Sequence, residues 1–279
     1  MQRLTKTQAI MNSLSIIHFK TQQMKKFLLI IIPFWVLSPD LSAWSRTEHD
    51  AIAYIAECNL KPEVKKRVEN FLGGYSIVYF ASWMDDYRKT PSYLFTDGWH
   101  MGTVDENFQS TATVLSARGD CVPALEEAIK KLENYKALDD STLAVNLKYV
   151  IHLTGDMHCP THVNYANHNS FFNVKYNGVT MMYHHVWDYA MLRHAHTWSY
   201  TEYQHQLDRC SAEEKQQIMQ GNPREWFAQS AKDCVVIYEW AKADDELGVD
   251  YMNKAHSLGE SQILKAGYRL AYLLNKLFV

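Results

Sequence analysis

Residues 141–163 read STLAVNLKYVIHLTGDMHCPTHV, and the rest of the chain is best interpreted outward from them. Ser141 to Met157 is long and apolar, as a buried central helix should be. On a helix, His152 and Asp156 stand four apart, share a face and can grip one ion. His162 lies ten positions past His152, about 15 Å along a straight helix, too far for the same ion, so it is expected to serve a second. Pro160 has no N–H and leaves the Asp156 carbonyl without its helical partner, which predicts a kink. His158 falls on a different face and is expected to be a structural neighbour. By itself the stretch leaves two readings open: a metal-binding face, or a His–Asp pair satisfied inside a core.

Helical patterning extends on both sides. Arg46 to Leu60 places Ala51, Ile52, Ile55 and Ala56 on one face, and Cys121 to Leu138 is amphipathic with a Glu/Lys face. Pro223 to Ala243 and His256 to Phe278 predict two closing helices. One β signal stands out: FFNVKYNGVTMMY, residues 171–183, alternates around Asn177-Gly178, the strongest short hairpin cue. No repeat, low-complexity tract or linker interrupts the pattern. The fold class is therefore all-α, mainly helical, with a small β-hairpin near 171–183.

Residues 1–43 are expected to lie outside the fold. Met24-Lys25-Lys26 precedes the apolar run FLLIIIPFWVL (27–37), and a polar stretch closes on Leu41-Ser42-Ala43. A basic start, a short apolar core and a small residue before the break describe a secretory signal peptide. The run is too short for a membrane span, which needs about 20 apolar residues. Met24 is thus the expected start, with cleavage after Ala43 and a single domain over 44–279, secreted or periplasmic and without a stable membrane anchor.

The whole chain carries a formal charge of −3. It becomes more acidic once 1–43, with five basic residues and one Asp, is set aside. No basic run offers a track along a polyanion, so positive charge toward a phosphate substrate would have to come from something local, such as bound metal. The five Cys form no CxxC pair, which argues against a zinc ribbon or redox motif. An oxidising compartment permits disulfides among them, although the odd count leaves at least one thiol over. Nothing in the sequence points to a protein partner.

Three further segments carry metal-ligating residue types. HHVWD (184–188) repeats the four-residue spacing with His184 and Asp188, and His185 lies off that face. ASWMDDYR (81–88) and Trp99-His100 supply Asp85 and His100, which become ligands only if the fold brings them to His152. WSRTEH (44–49) would begin the mature chain. A free α-amino group has a pKa near 8, so the amine and carbonyl of Trp44 can chelate zinc at modest cost, with His49 completing the site.

Together these pieces resemble the zinc-dependent single-strand-specific nucleases with 3′-nucleotidase activity, a family that shares its all-α fold with bacterial zinc phospholipase C. The matching signature is W-x4-H, WxD-x-x-R, WH, H-x3-D-x5-H and H-x3-D, in family order over residues 44 to about 190. The resemblance implies three Zn²⁺. Asp85, His100, His152 and Asp156 would hold one. Trp44, His49 and the bridging Asp156 would hold a second, and His162, His184 and Asp188 the third. Three dications against three carboxylates leave a pocket attractive to phosphate. The resemblance further implies attack by a zinc-activated water, with Asp156 joining the paired ions, Asp85 helping to orient the water and Arg88 gripping the phosphate with its planar fork. The products would carry a 5′-phosphate, and the substrates would be single-stranded DNA or RNA and nucleotides.

The chain also departs from the family pattern. Ser45 and Glu48 replace two glycines of the usual opening, and Cys159 stands where the family has Gln. Met101 replaces an aromatic residue and can still pack on a base, but neither Thr103 nor Asp105 can be assigned the family's base-reading Asp. Tyr165, Phe171 and Phe172 are candidates for a base-stacking wall or for ordinary core. Two alternatives stand beside the nuclease: a zinc phospholipase C, disfavoured because that branch has Glu at the position of Asp188, and a non-catalytic exported zinc-binding protein, which would not need Arg88.

Overall fold

The central helix forms over Asp140–Asp156, capped by Asp139, whose carboxylate accepts from the Thr142 amide and hydroxyl. From Leu147 onward nearly all of its side chains are buried, because other helices cover it on every side. This computed structural model describes residues 44–115 and 119–279. The expected extension and signal peptide over 1–43 lie outside the described residues.

Helices Arg46–Cys58 and Cys121–Glu133 form where the periodicity predicts, each ending a few residues short. The predicted helix over 223–243 is two helices, Pro223–Cys234 and Ile237–Trp240. The break falls in the β-branched run Val235-Val236-Ile237, whose side chains crowd the preceding helical turn. The last helix, Val249–Phe278, begins seven residues earlier than its patterning suggests. Tyr251 and Ala255 are buried on the same stripe as Gly259 and Ile263, so packing extends the helix into a polar stretch. It lies along Arg46–Cys58, while Cys121–Glu133 packs on the central helix. Pro62–Phe71, Tyr200–Leu207 and Ala212–Met219 complete the longer helices. Their buried faces, with those of the helices above, make one continuous core.

The hairpin is present as Asn173–Tyr176 paired antiparallel with Val179–Met182. Asn177 and Gly178 both take positive φ, 49° and 74°, as a two-residue turn of this twist requires. A third strand, Glu246–Leu247, joins it in parallel. A second small sheet pairs Gly102–Thr103 with Val163–Asn164. The five cysteines are all free thiols. Among the described residues no helix is long and apolar enough to cross a membrane.

Candidate metal centre

Each motif is fastened to another by a backbone group. The Gly102 amide donates to the His162 carbonyl (2.9 Å), which sets His100 and Met101 beside the end of the central helix. The Ser45 amide donates to the Asp188 carbonyl, and the His184 amide to the Ser170 carbonyl. Nδ1 of His152 donates to the Ala81 carbonyl at 2.7 Å, tying the helix to the strand of chain that leads into Trp83–Tyr87 and Asp85. A carbonyl only accepts, so this bond fixes the proton on Nδ1 and turns Nε2 toward the cluster.

The central helix stops at Asp156 instead of kinking at Pro160. Beyond it the chain folds back, with the His158 and Cys159 amides donating to the Gly155 and Asp156 carbonyls. The straight-helix separation of His162 from the first cluster therefore does not hold: its Nδ1 lies 3.4 Å from Asp156 Oδ1. Asp156 becomes the hub. His100 Nδ1 and His152 Nε2 approach its Oδ2 at 2.8 and 3.1 Å, and His49 Nε2 approaches Oδ1 at 3.4 Å. Asp85 stands beside the same imidazoles, 3.6 Å from His100 and 3.8 Å from His152. The rings of His49 and His152 stack 4.1 Å apart. His49 also rests on Gly155, where an added Cβ would come within 2.8 Å of its Nδ1.

Two clusters capable of holding a cation are therefore His49–His152–Asp156 and Asp85–His100–His152. The third is not the expected trio alone. Asp188 receives His162 Nε2 at 3.3 Å on one oxygen and His184 Nε2 at 3.2 Å on the other. The ligand atoms that all lie within 4.8 Å of one another are those of Cys159, His162 and Asp188. In the sequence Cys159 stands out only as a departure from the family pattern. Its spacing, three residues from both Asp156 and His162, was the available signal. His184 and Asp188 lie on a short helical turn that passes into a π-helical turn over Val186–Ala190, a form common at functional sites. Trp44 is fully buried. His158 instead joins Thr154 and Arg269, away from these clusters.

The donor set fits a zinc-type ion. His49 Nε2, both oxygens of Asp85, His100 Nε2, Asp156 Oδ1 and His162 Nδ1 are buried without a hydrogen-bond partner. Such groups are costly singly, and their concentration at one point is what a site for cations looks like. Nitrogen, carboxylate and sulfur are the ligands zinc takes. The groups also hold one another's charge. Burial would raise Asp156, yet His152 and His100 hold it well below the carboxylate range. Burial opposes the imidazolium of His152, but Asp156 and Asp85 carry it up to about 9. Burial lowers both His49 and His100.

The cluster opens into a cavity of about 250 Å³ whose wall includes Arg88, Met101, Phe171, His184 and Asp188. The Arg88 Nε is 3.9 Å from Asp85 and 3.8 Å from Asp97. Of the three aromatic candidates, Phe171 alone lines this cavity, exposed and stacked on His184 at 5.4 Å. Tyr165 donates to the Ala231 carbonyl and Phe172 stacks on Tyr183, so both pack against the core. Asp105 accepts from the Asn107 and Gln109 amides of its own loop. Glu48, in place of a glycine, is buried, accepts from the Ser45 hydroxyl and is raised by burial to about 7.

A mainly helical fold in which His and Asp from five separate stretches gather into three adjoining clusters defines a metal-binding class. The S1/P1 nuclease family model matches residues 44–279, and the chain belongs to that family. It is similar to nuclease S1 of Aspergillus oryzae, 31% identical over 157 residues covering 53% of this chain and 54% of that protein. It is similar as well to nuclease P1 of Penicillium citrinum, 30% identical over 158 residues, 53% and 58% of the two chains. Endonuclease 1 of Arabidopsis thaliana matches at 23% over 271 residues, 85% and 87%. The chain thus spans little more than half the length of the fungal relatives it matches.

Proposed function

We propose that this protein is an exported, zinc-dependent phosphoesterase that cuts single-stranded DNA or RNA and removes 3′-phosphates from nucleotides, leaving 5′-phosphorylated products. The observation that carries this reading is the convergence of His49, His100, His152 and His162 on Asp156 beside an open cavity. Family membership supports it, as do relatives named nucleases.

Three zinc ions would be held by nine residues. Asp85, His100, His152 and Asp156 take one, Trp44, His49 and Asp156 a second, and His162, His184 and Asp188 the third. Bound there, zinc supplies Lewis acidity for a water nucleophile and positive charge for phosphate. The chain's own residues do the rest. His152, locked by the Ala81 carbonyl, keeps its Nε2 aimed inward. Asp85, 3.6 Å from His100, would help to orient that water, and Arg88 offers two parallel N–H donors to a phosphate at the cavity wall. Phe171 gives an unpaired base a face to stack on, which a base held in a duplex cannot use. Trp44 contributes its amine only when nothing precedes it, so export and cleavage after Ala43 belong to the same proposal.

The test is hydrolysis by the chain starting at Trp44, with chelator and then with zinc restored. Single-stranded DNA, RNA, 3′-AMP and phosphatidylcholine are the substrates. Zinc-restored release of 5′-phosphorylated products supports the reading. Phosphocholine release would replace it with a lipase, and zinc binding with no hydrolysis of any substrate would replace it with a binding protein.

A further inference from the structure

Cys159 is a lone sulfur among nitrogen and oxygen donors, fully buried at the turn that follows the central helix. Its Sγ lies 3.8 Å from Asp188 Oδ1 and 3.6 Å from Thr161 Oγ1. The same Asp188 oxygen lies 3.3 Å from His162 Nε2. Zinc bonds of about 2.0–2.1 Å to nitrogen or oxygen and about 2.3 Å to sulfur give tetrahedral edges of about 3.3 Å between N and O and about 3.6 Å to S. The observed spacings of 3.3 and 3.8 Å match these edges. A second observation points the same way: the ligand atoms of Cys159, His162 and Asp188 all lie within 4.8 Å of one another, and all three residues are buried. Among the described residues Cys159 is the one cysteine that joins such a cluster.

We propose that Cys159 is a fourth protein ligand of the third metal, binding as a thiolate with His162, Asp188 and His184. On coordination the thiol gives its proton to solvent and its sulfur lone pair to the ion, with no oxidant or reductant involved. The centre then carries four anionic ligands where the family signature supplies three. Its net charge falls by one, and its third ion becomes more closely held and less acidic than an all-nitrogen-and-oxygen site. The rival role is an S–H donor to Asp188 with no bond to metal.

The inference rests on the zinc reading above, and the experiment separates the two. Protein starting at Trp44 is loaded with three equivalents of Co²⁺ and its near-ultraviolet spectrum recorded. A sulfur-to-cobalt charge-transfer band is expected, and it should disappear in Cys159→Ser. Loss of an outer partner alone costs roughly 10–100-fold in metal affinity, so the variant should bind its third metal at least about tenfold more weakly in chelator competition. Three bound cobalt ions with no such band would overturn the thiolate and leave the zinc reading intact. A band that persists in Cys159→Ser would also overturn it. Should that variant fail to fold, X-ray absorption at the zinc edge of the wild-type holoprotein decides. A sulfur shell at about 2.3 Å supports the proposal, and nitrogen and oxygen alone overturn it. Failure to bind metal at all would remove both proposals together.

Discussion

Asp156 shows how much one residue can organise. It sits fully buried with imidazoles on both oxygens, from His49 and His162 on one and His100 and His152 on the other. Gly155, just before it, leaves the space that His49 occupies. Gly155→Ala should therefore separate two properties. Helix propensity improves by about 1 kcal/mol, whereas His49 is pushed off its position and zinc at that site is weakened. Circular dichroism and zinc analysis on one sample check this; unchanged stoichiometry and affinity would show that His49 accommodates the methyl. Arg88 is expected to act on substrate alone. Arg88→Ala should lower kcat by about 10²–10³, the usual effect of removing one transition-state donor, with zinc content unchanged. Arg88→Lys should restore only part of it, since an ammonium lacks the planar fork. Loss of zinc in Arg88→Ala would contradict that assignment.

At the scale of elements, Asp208 ties the last helices to the first. It follows Tyr200–Leu207, and its carboxylate accepts from Tyr268, Lys215, Asn59 and Gln204. Burial alone would raise it, but the donors, led by Lys215, hold it below the usual carboxylate value. A depressed carboxylate contributes stability above its unfolded value, near 3.9, and loses it as pH falls through the folded one. Asp208→Asn should cost on the order of 2 kcal/mol at pH 7, and the gap to wild type should close in acid. Urea titrations at pH 7 and pH 3 measure it, and a gap that does not change with pH would mean the charge plays no part. Much of the architecture was legible because its cues are local. Apolar spacing located the central helix, and Asn177-Gly178 located the hairpin. The helices Tyr200–Leu207 and Ala212–Met219 are not predicted, because both are short and polar and their apolar spacing is weak; their local cue is the pair of capping boxes, Ser199 with Glu202 and Ser211 with Glu214. What could not be read was long-range. That His162 turns back to Asp156 depends on where the central helix stops, and that the Cys159 sulfur meets the Asp188 carboxylate depends on the fold-back. Neither leaves a periodic trace.

For the molecule as a whole, the proposed ions would link stretches from residue 44 to residue 188 across most of the fold. Zinc that binds only the folded chain stabilises it by mass action, by about 2.7 kcal/mol at a hundred times Kd. The thermal midpoint should rise with free zinc and fall in chelator, as scanning calorimetry can follow. A midpoint insensitive to both would mean that the centre does not hold the fold together.

The backbone bonds that fasten the motifs have a use of their own. The amides of Ser45, Gly102 and His184 each bridge two stretches far apart in sequence or across the hairpin, and each sits beside a cluster. Their rates of hydrogen–deuterium exchange therefore report on the closure of the centre, without substrate and without turnover. In zinc they should exchange with the slowest amides of the central helix. In chelator these three should quicken first, ahead of global unfolding, as the clasp opens locally while the helices around it stay shut.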